Sequence, residues 1–311
     1  MISSTEKLSP RHAPTALLPT VPRGLPTVVV GILLLFAGVE TAHAWRSTGH
    51  FIVAQIAYDQ LSPEARQEVD RLSALLVDLE PPARTFVAGS VWLDGVREIG
   101  VGSFDRWHYI NLPINGDGVE AVVPAKHDNA VVALSEQLSV LRTPSAGDRW
   151  RAFALRVVSH LVGDLHQPLH CVNRYTHELP QGDRGGNDFL VVSQFDADTL
   201  HGLWDTALGL YPAVSLDALE SPETLERLAV WAAEVAPLAP ADEAAVLEPE
   251  LWAREGHRLA RDVVYVGIEP GTEPSNQYLE AGRAVAARRL ALAGHRLGAL
   301  LEEALGVTPP E

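Results

Sequence analysis

The residues with chemistry to offer gather in two short stretches. Ser159–Cys171 reads SHLVGDLHQPLHC, and within it His160 and Asp164 are four residues apart. On a helix that spacing places both on one face, offset by about 40°. Pro168 cannot continue a helix comfortably, so His170 is presented from the turn beyond it. A second pair with the same spacing, His201 and Asp205, stands in HGLWD. Imidazole and carboxylate donors at these spacings suit zinc. One His-x-x-x-Asp is common by chance. Two of them, with His170 between, point to a metal centre.

Composition sets the frame for such a centre. The 311-residue chain is 47% hydrophobic, enough to build a sizeable core in one large domain or two small ones. Its formal net charge of −16 argues against duplex binding through a basic face. A polyanionic substrate stays compatible, because bound divalent ions reverse the local sign. Cys171 is the single cysteine, so no disulfide forms within the chain.

The N-terminus has the form of an export signal. Lys7, Arg11 and Arg23 precede an apolar run from Leu25 to Val39, and Ala42-His43-Ala44 fits the small-x-small cleavage rule. Residues 1–44 therefore read as a signal peptide, cut between Ala44 and Trp45. The competing reading is an uncleaved anchor, but the run is shorter than the ~20 residues of a comfortable span. The expected product is periplasmic or extracellular, with no membrane contact in its mature form. Export without disulfides fits a bacterial protein.

The positioning elements are mostly helical. Helices are expected over 45–61, 63–79, 84–96, 124–141, 147–167, 201–210, 222–235, 241–264 and 276–305. Ser62-Pro63-Glu64 supplies a cap, a first-turn proline and an early acid for the second. Trp107–Leu112 reads as extended or loop, Asn115–Gly118 as a turn, Cys171–Gly186 as a glycine-rich loop and Phe189–Val192 as a short strand. The fold class is all-α, with a single domain over 45–306 and a short tail at 307–311.

A set of motifs in a fixed order now becomes visible: Trp45-x-x-x-Gly49-His50, Ser90-Val91-Trp92-Leu93-Asp94-x-x-Arg97, Trp107-His108-Tyr109, His160-x-x-x-Asp164-x5-His170, Gly185-Gly186-Asn187 and His201-x-x-x-Asp205. In this set the chain resembles the S1/P1 nuclease family of zinc-dependent, single-strand-specific nucleases, over essentially all of 45–306. These share an all-α fold with bacterial zinc phospholipase C. The resemblance implies three zinc ions per chain. One would be held by Asp94, His108, His160 and Asp164. A second would be held by His170, His201 and Asp205. The third would take the amino group and carbonyl of Trp45, with His50 and Asp164. The α-amine exists only after cleavage, and its neutral form is a good zinc ligand.

The resemblance also implies roles at phosphate and base. Asp94 would ligate metal and orient the attacking water, and Arg97 would pair with the phosphate. Tyr109 would stack on an unpaired base, with Asn111, Gly186 and Asn187 completing the pocket. Asn111 stands where the fungal and plant enzymes carry aspartate, which replaces an acceptor-only group with one that also donates. A base inside a duplex is out of reach of such a pocket.

The expected activity is hydrolysis of single-stranded RNA and DNA to 5′-nucleotides, with 3′-nucleotidase action on mononucleotides and no obligate protein partner. The alternatives are phospholipase C-like cleavage of lipid head groups and a non-catalytic zinc-binding exported protein. Outside the motifs, His166 and Cys171 read as structural. His127, His177, His257 and His295 lack ligand-type partners, and Arg288-Arg289 reads as a solvated helix face.

Overall fold

Apolar residues at helical spacing produce a body built almost wholly of helices. The computed structural model describes residues 45–79, 83–120 and 127–306. The expected signal peptide and the 307–311 tail lie outside the described residues. Helices α1 (Ser47–Asp59) and α2 (Pro63–Ser73) come first, then two short ones, α3 (Phe86–Gly89) and α4 (Trp92–Glu98). Strand β1 (Leu112–Asn115) precedes α5 (Ala130–Leu141) and α6 (Asp148–Asp164). Strand β2 (Val172–Tyr175) leads to α7 (Leu200–Asp205). Helices α8 (Pro222–Val235), α9 (Ala241–Ala244), α10 (Pro249–Leu259) and α11 (Asn276–Leu305) complete the order. Among the described residues no helix is long and apolar enough to cross a membrane.

Helix starts follow capping chemistry. The side-chain oxygens of Ser62, Asn129, Thr199 and Ser275 accept backbone N–H groups at the starts of α2, α5, α7 and α11. Each cap satisfies a donor that the helix itself leaves unpaired. Helix α6 is buried along most of its length, from Arg151 to Asp164 apart from Phe153. It packs against α5, α2, α11 and α1. A helix enclosed on all sides is a rigid place from which to present His160 and Asp164.

Several elements differ from the sequence expectation, each for a local reason. The helix expected over 84–96 is two helices, broken at Ser90-Val91. The Ser90 hydroxyl donates back to the Val87 carbonyl, and the Ser90 carbonyl accepts a hydrogen bond from His160 instead of continuing the helix. Of the segment 107–112 expected to be extended or loop, residues 107–108 instead end a 3₁₀ turn that begins at Gly102, while 109–111 are loop and Leu112 opens β1. The loop expected over 171–186 begins with β2, which pairs in parallel with β1. That pairing is non-local, and a single-sequence pattern does not reveal it. Phe189–Val192 forms only an isolated bridge between Leu190 and Thr199, not a strand. The helix expected over 241–264 is interrupted before Pro249, and residues 260–264 form a π turn at its end.

Arg289 is a further correction. It is only 2% exposed rather than solvated. Its Nη1 pairs with Glu255, and Nε and Nη2 donate to the His166 and Leu165 carbonyls. Those carbonyls belong to the turn that follows α6, so the buried guanidinium caps the helix carrying Asp164. Arg288 does lie on the exposed face, paired with Glu243.

Candidate metal centre

Five histidines and three aspartates from separate elements converge inside this frame. His50 comes from α1, Asp94 from α4 and His108 from the end of the 3₁₀ turn. His160 and Asp164 come from α6, His170 from the turn after Pro168, and His201 and Asp205 from α7. All eight are buried. Three groups result: His50, His160 and Asp164; Asp94, His108 and His160; and His170, His201 and Asp205. Within each group the potential ligand atoms all lie within 4.8 Å of one another.

Backbone carbonyls aim the rings. His160 Nδ1 donates to Ser90 O at 2.7 Å, His170 Nδ1 to His108 O at 2.6 Å, and His201 Nδ1 to Gly185 O at 2.7 Å. Each bond orients its ring and turns Nε2 inward, as a lone pair in the neutral rings of His170 and His201. The β1–β2 pair tightens the same region, since Ile110 N donates to His170 O. His50 stacks on His160, with ring centroids 4.2 Å apart and planes 12° from parallel.

The consequence is most telling at α7. With Nδ1 of both rings donating, His201 Nε2 and His170 Nε2 face each other as lone pairs at 3.0 Å. Only a cation or a proton between them relieves that repulsion. Burial, then the His170 charge, pushes the His201 pKa down to about 3, and burial pushes His170 to about 4. A proton is therefore absent at neutral pH. Burial likewise lowers His50. His160 is the exception: burial opposes its protonation, but the Asp164 and Asp94 carboxylates outweigh it and raise the pKa to about 9. Burial disfavours the Asp164 charge, yet neighbouring His160 holds its carboxyl well below the usual range. Burial raises Asp205 well above it.

Unsatisfied atoms sharpen the fit to a metal. His50 makes no hydrogen bond through either ring nitrogen, and His108 Nε2 and Asp164 Oδ1 make none. His50 Nε2 lies 3.4 Å from Asp164 Oδ1, and His108 Nδ1 lies 3.1 Å from Asp164 Oδ2. Buried polar groups without partners are costly and rare. Of these, His50 Nε2 and Asp164 Oδ1 face each other across space that a divalent ion could fill, with a nitrogen and oxygen donor set that matches zinc.

The other sequence-predicted residues lie around this cluster. Trp45 is fully buried, and the adjacent Arg46 N–H donates to the Asp205 carbonyl, pinning the start of the described chain to α7. Arg97 is half-buried, 3.6 Å from Asp105, and its charge is one of the influences that lower His201. Tyr109 and Asn111 are half-buried on the segment linking His108 to β1. Gly185 and Gly186 wrap His201, both with left-handed backbone (φ 63° and 82°). A Cβ on Gly185 would stand 2.3 Å from the Leu169 carbonyl oxygen. The pair therefore positions a candidate ligand as well as lining a loop. Asn187 is half-buried, and its amide donates to Arg184 O. His166 is outside the three groups: its Nε2 accepts from Arg296 and its Nδ1 donates to Val162 O. His257 donates to Pro113 O, and Cys171 is buried.

Sequence reasoning missed two supporting residues. Gln167 is fully buried; its Nε2 donates to Asp205 Oδ1 at 2.6 Å, and its Oε1 accepts from Leu169 N–H at 2.6 Å. Its place between Asp164 and His170 was the only signal. Gly163 leaves room for the His50 ring, which a Cβ would approach to 2.6 Å at Nδ1.

Fold and site together define a class: a helical protein enclosing overlapping histidine–carboxylate groups suited to divalent cations. The S1/P1 Nuclease family model matches residues 45–306, and the chain belongs to that family. It is 27% identical over 301 residues to Endonuclease 2 of Arabidopsis thaliana, covering 90% of this chain and 96% of that one. It is 22% identical over 299 residues to Nuclease S1 of Aspergillus oryzae, covering 91% and 98%. Similarity to Nuclease P1 of Penicillium citrinum is 27% over 168 residues, 52% of this chain and 57% of that one.

Proposed function

We propose that the chain is an exported zinc-dependent phosphodiesterase, cleaving single-stranded RNA and DNA to 5′-nucleotides and acting on 3′-nucleotides. Residues 45–306 are its nuclease domain, released by cleavage between Ala44 and Trp45. The observation that carries this reading is the pair of buried, deprotonated imidazole nitrogens facing each other at 3.0 Å, which calls for a cation. Family membership supplies the class of substrate.

The three groups would hold three zinc ions, with Asp164 shared and the Trp45 amine and carbonyl completing the His50 site. When bound, zinc lowers the pKa of a coordinated water to ~7 and offsets phosphate charge. The protein's own groups do the rest. Asp94 orients the attacking water through a carboxylate oxygen. Arg97, beside His201, donates to a phosphate oxygen and stabilises the charge that grows there. Tyr109 stacks on an unpaired base, while Asn111 and the Gly186-Asn187 loop offer hydrogen bonds to its edge. A paired base cannot reach that face, so duplexes are poor substrates.

The test is one assay with and without chelator on heat-denatured DNA, duplex DNA, RNA and phosphatidylcholine. Chelator-sensitive, zinc-restored cleavage of the single strands is expected, with duplex DNA resistant. Cleavage of the lipid alone, or chelator-insensitive hydrolysis, contradicts the proposal.

A further inference from the structure

The turn from Asp183 to Gly186 holds His201, and what holds that turn lies outside the three histidine–aspartate groups. Gly185 O accepts from His201 Nδ1 at 2.7 Å, and His201 N–H donates to Gly186 O at 3.2 Å. Both glycines have left-handed backbone. Glycine has the most conformational freedom to lose, so such a turn keeps its shape only where neighbours impose it. Asp183, two residues before Gly185, is the neighbour placed to do so. It is only 1% exposed.

Asp183 ties the turn to two other elements. Its Oδ1 accepts from Arg174 N–H in β2 at 2.9 Å, and its Oδ2 accepts from Tyr265 O–H at 2.6 Å. Its own N–H donates to Arg174 O at 2.9 Å, and its carbonyl accepts from Asp188 N–H at 3.0 Å. Backbone and side chain of one residue thus grip one residue of β2, the strand that follows directly on the turn carrying His170. A buried carboxylate is costly to keep unless donors surround it. Burial raises the Asp183 pKa, while Tyr265 O–H and the N–H groups of Arg174 and Gly186 work to lower it.

Tyr265 comes from the π turn that ends α10. Its N–H donates to Ala260 O, five residues back, at 3.1 Å. Such turns are rare and gather at functional sites. The Arg174 guanidinium lies over the Tyr265 ring, 5.0 Å from its centroid, and Phe189 packs against it at 6.1 Å. Held by these two contacts, the ring keeps its hydroxyl on Asp183.

We propose that Asp183 and Tyr265 are positioning residues for His201: their hydrogen bond locks the glycine turn, so that Gly185 O holds the ring with Nε2 facing His170. The inference rests on the metal-centre reading for what His201 does, but not for how its ring is held.

The experiment compares the wild type with Tyr265→Phe and Asp183→Asn. A third variant, Tyr58→Phe, is a control that removes another Tyr–Asp hydrogen bond, the 2.8 Å contact with Asp70 between α1 and α2. Long-range proton–nitrogen NMR in chelator reads the tautomer of each histidine ring, and competition with a fluorescent chelator reads zinc affinity. The wild type is expected to show His201 as the single Nδ1–H tautomer. In Tyr265→Phe and Asp183→Asn the His201 signals should move toward a mixture of tautomers, while those of His160 and His170 stay. One zinc should bind ~10–100-fold more weakly, the usual cost of losing an outer support, and Tyr58→Phe should match the wild type in both readouts. Variants that melt lower yet keep the His201 signals and every zinc affinity show a merely structural role and overturn the proposal. So does a Tyr58→Phe variant that moves the His201 signals equally. If Asp183→Asn does not fold, Tyr265→Phe decides, since it removes only a hydroxyl. If the variants shift the His201 tautomer but the wild type binds no zinc, the metal reading fails and the positioning role stands.

Discussion

Gly163→Ala places one methyl group where the candidate centre has no room for it. The added Cβ would lie 2.6 Å from His50 Nδ1 and 2.8 Å from Cε1, against 3.4 Å for ordinary contact. The ring must therefore retreat by roughly 0.8 Å, the difference between those contacts. Zinc–ligand distances tolerate only about ±0.2 Å. His50 thus leaves its ligating position even if the rest of the fold absorbs the change. Overpacking costs ~1–3 kcal/mol, while alanine is favoured over glycine in a helix by ~1 kcal/mol. The net cost to the metal-free protein is then about 0–2 kcal/mol, a fall in Tm of less than ~8 °C at this size. The expected result is a protein that folds but lacks the zinc held by His50, with single-strand cleavage down at least tenfold, as misplaced ligands usually give. Zinc content by mass spectrometry, thermal melting in chelator and cleavage of denatured DNA are the assays. A variant with wild-type zinc content and rate refutes the reasoning that His50 holds metal against α6.

Other outcomes follow from the same geometry. Gln167→Ala removes the 2.6 Å hydrogen bond to Asp205, and zinc affinity at the His170 group should fall ~10–100-fold in competition with a fluorescent chelator, with little change in helicity. Burial disfavours the Glu255 charge, but Arg296 and Arg289 outweigh it and hold its pKa below the unfolded value, so its stabilisation is present above that value and lost as pH falls through the folded one. Acid melts in chelator should show this loss below about pH 4.5, and Glu255→Gln should remove it while costing ~3–5 kcal/mol at pH 7 by stranding two buried arginines. Tyr109→Ala should raise KM for single strands by roughly the ~1–3 kcal/mol of one stacked base, measured by steady-state kinetics, and leave zinc content intact.

Five of the candidate ligands were legible from local geometry, while His50, Asp94 and His108 were implied only by the family resemblance. His160 with Asp164, and His201 with Asp205, needed only the four-residue spacing, and Pro168 announced the turn that presents His170. Their supports were not legible, because they depend on what the fold brings near. Ser90 gives up helical continuity to a carbonyl that aims His160, and nothing in its neighbours foretells that. Gly185 and Gly186 look like a flexible loop in sequence, yet one carbonyl fixes the His201 tautomer. Arg289 reads as surface until Glu255 and two carbonyls enclose it. The β1–β2 pair joins residues on either side of α5 and α6, a link that local pattern cannot carry.

The most direct measurement is anomalous diffraction at the zinc edge from crystals of the protein beginning at Trp45. Zinc peaks within each of the three histidine–aspartate groups are expected, the one between His170 and His201 above all. A well-ordered structure of zinc-saturated protein with no peak between those two rings would contradict the assignment of this cluster as a metal centre.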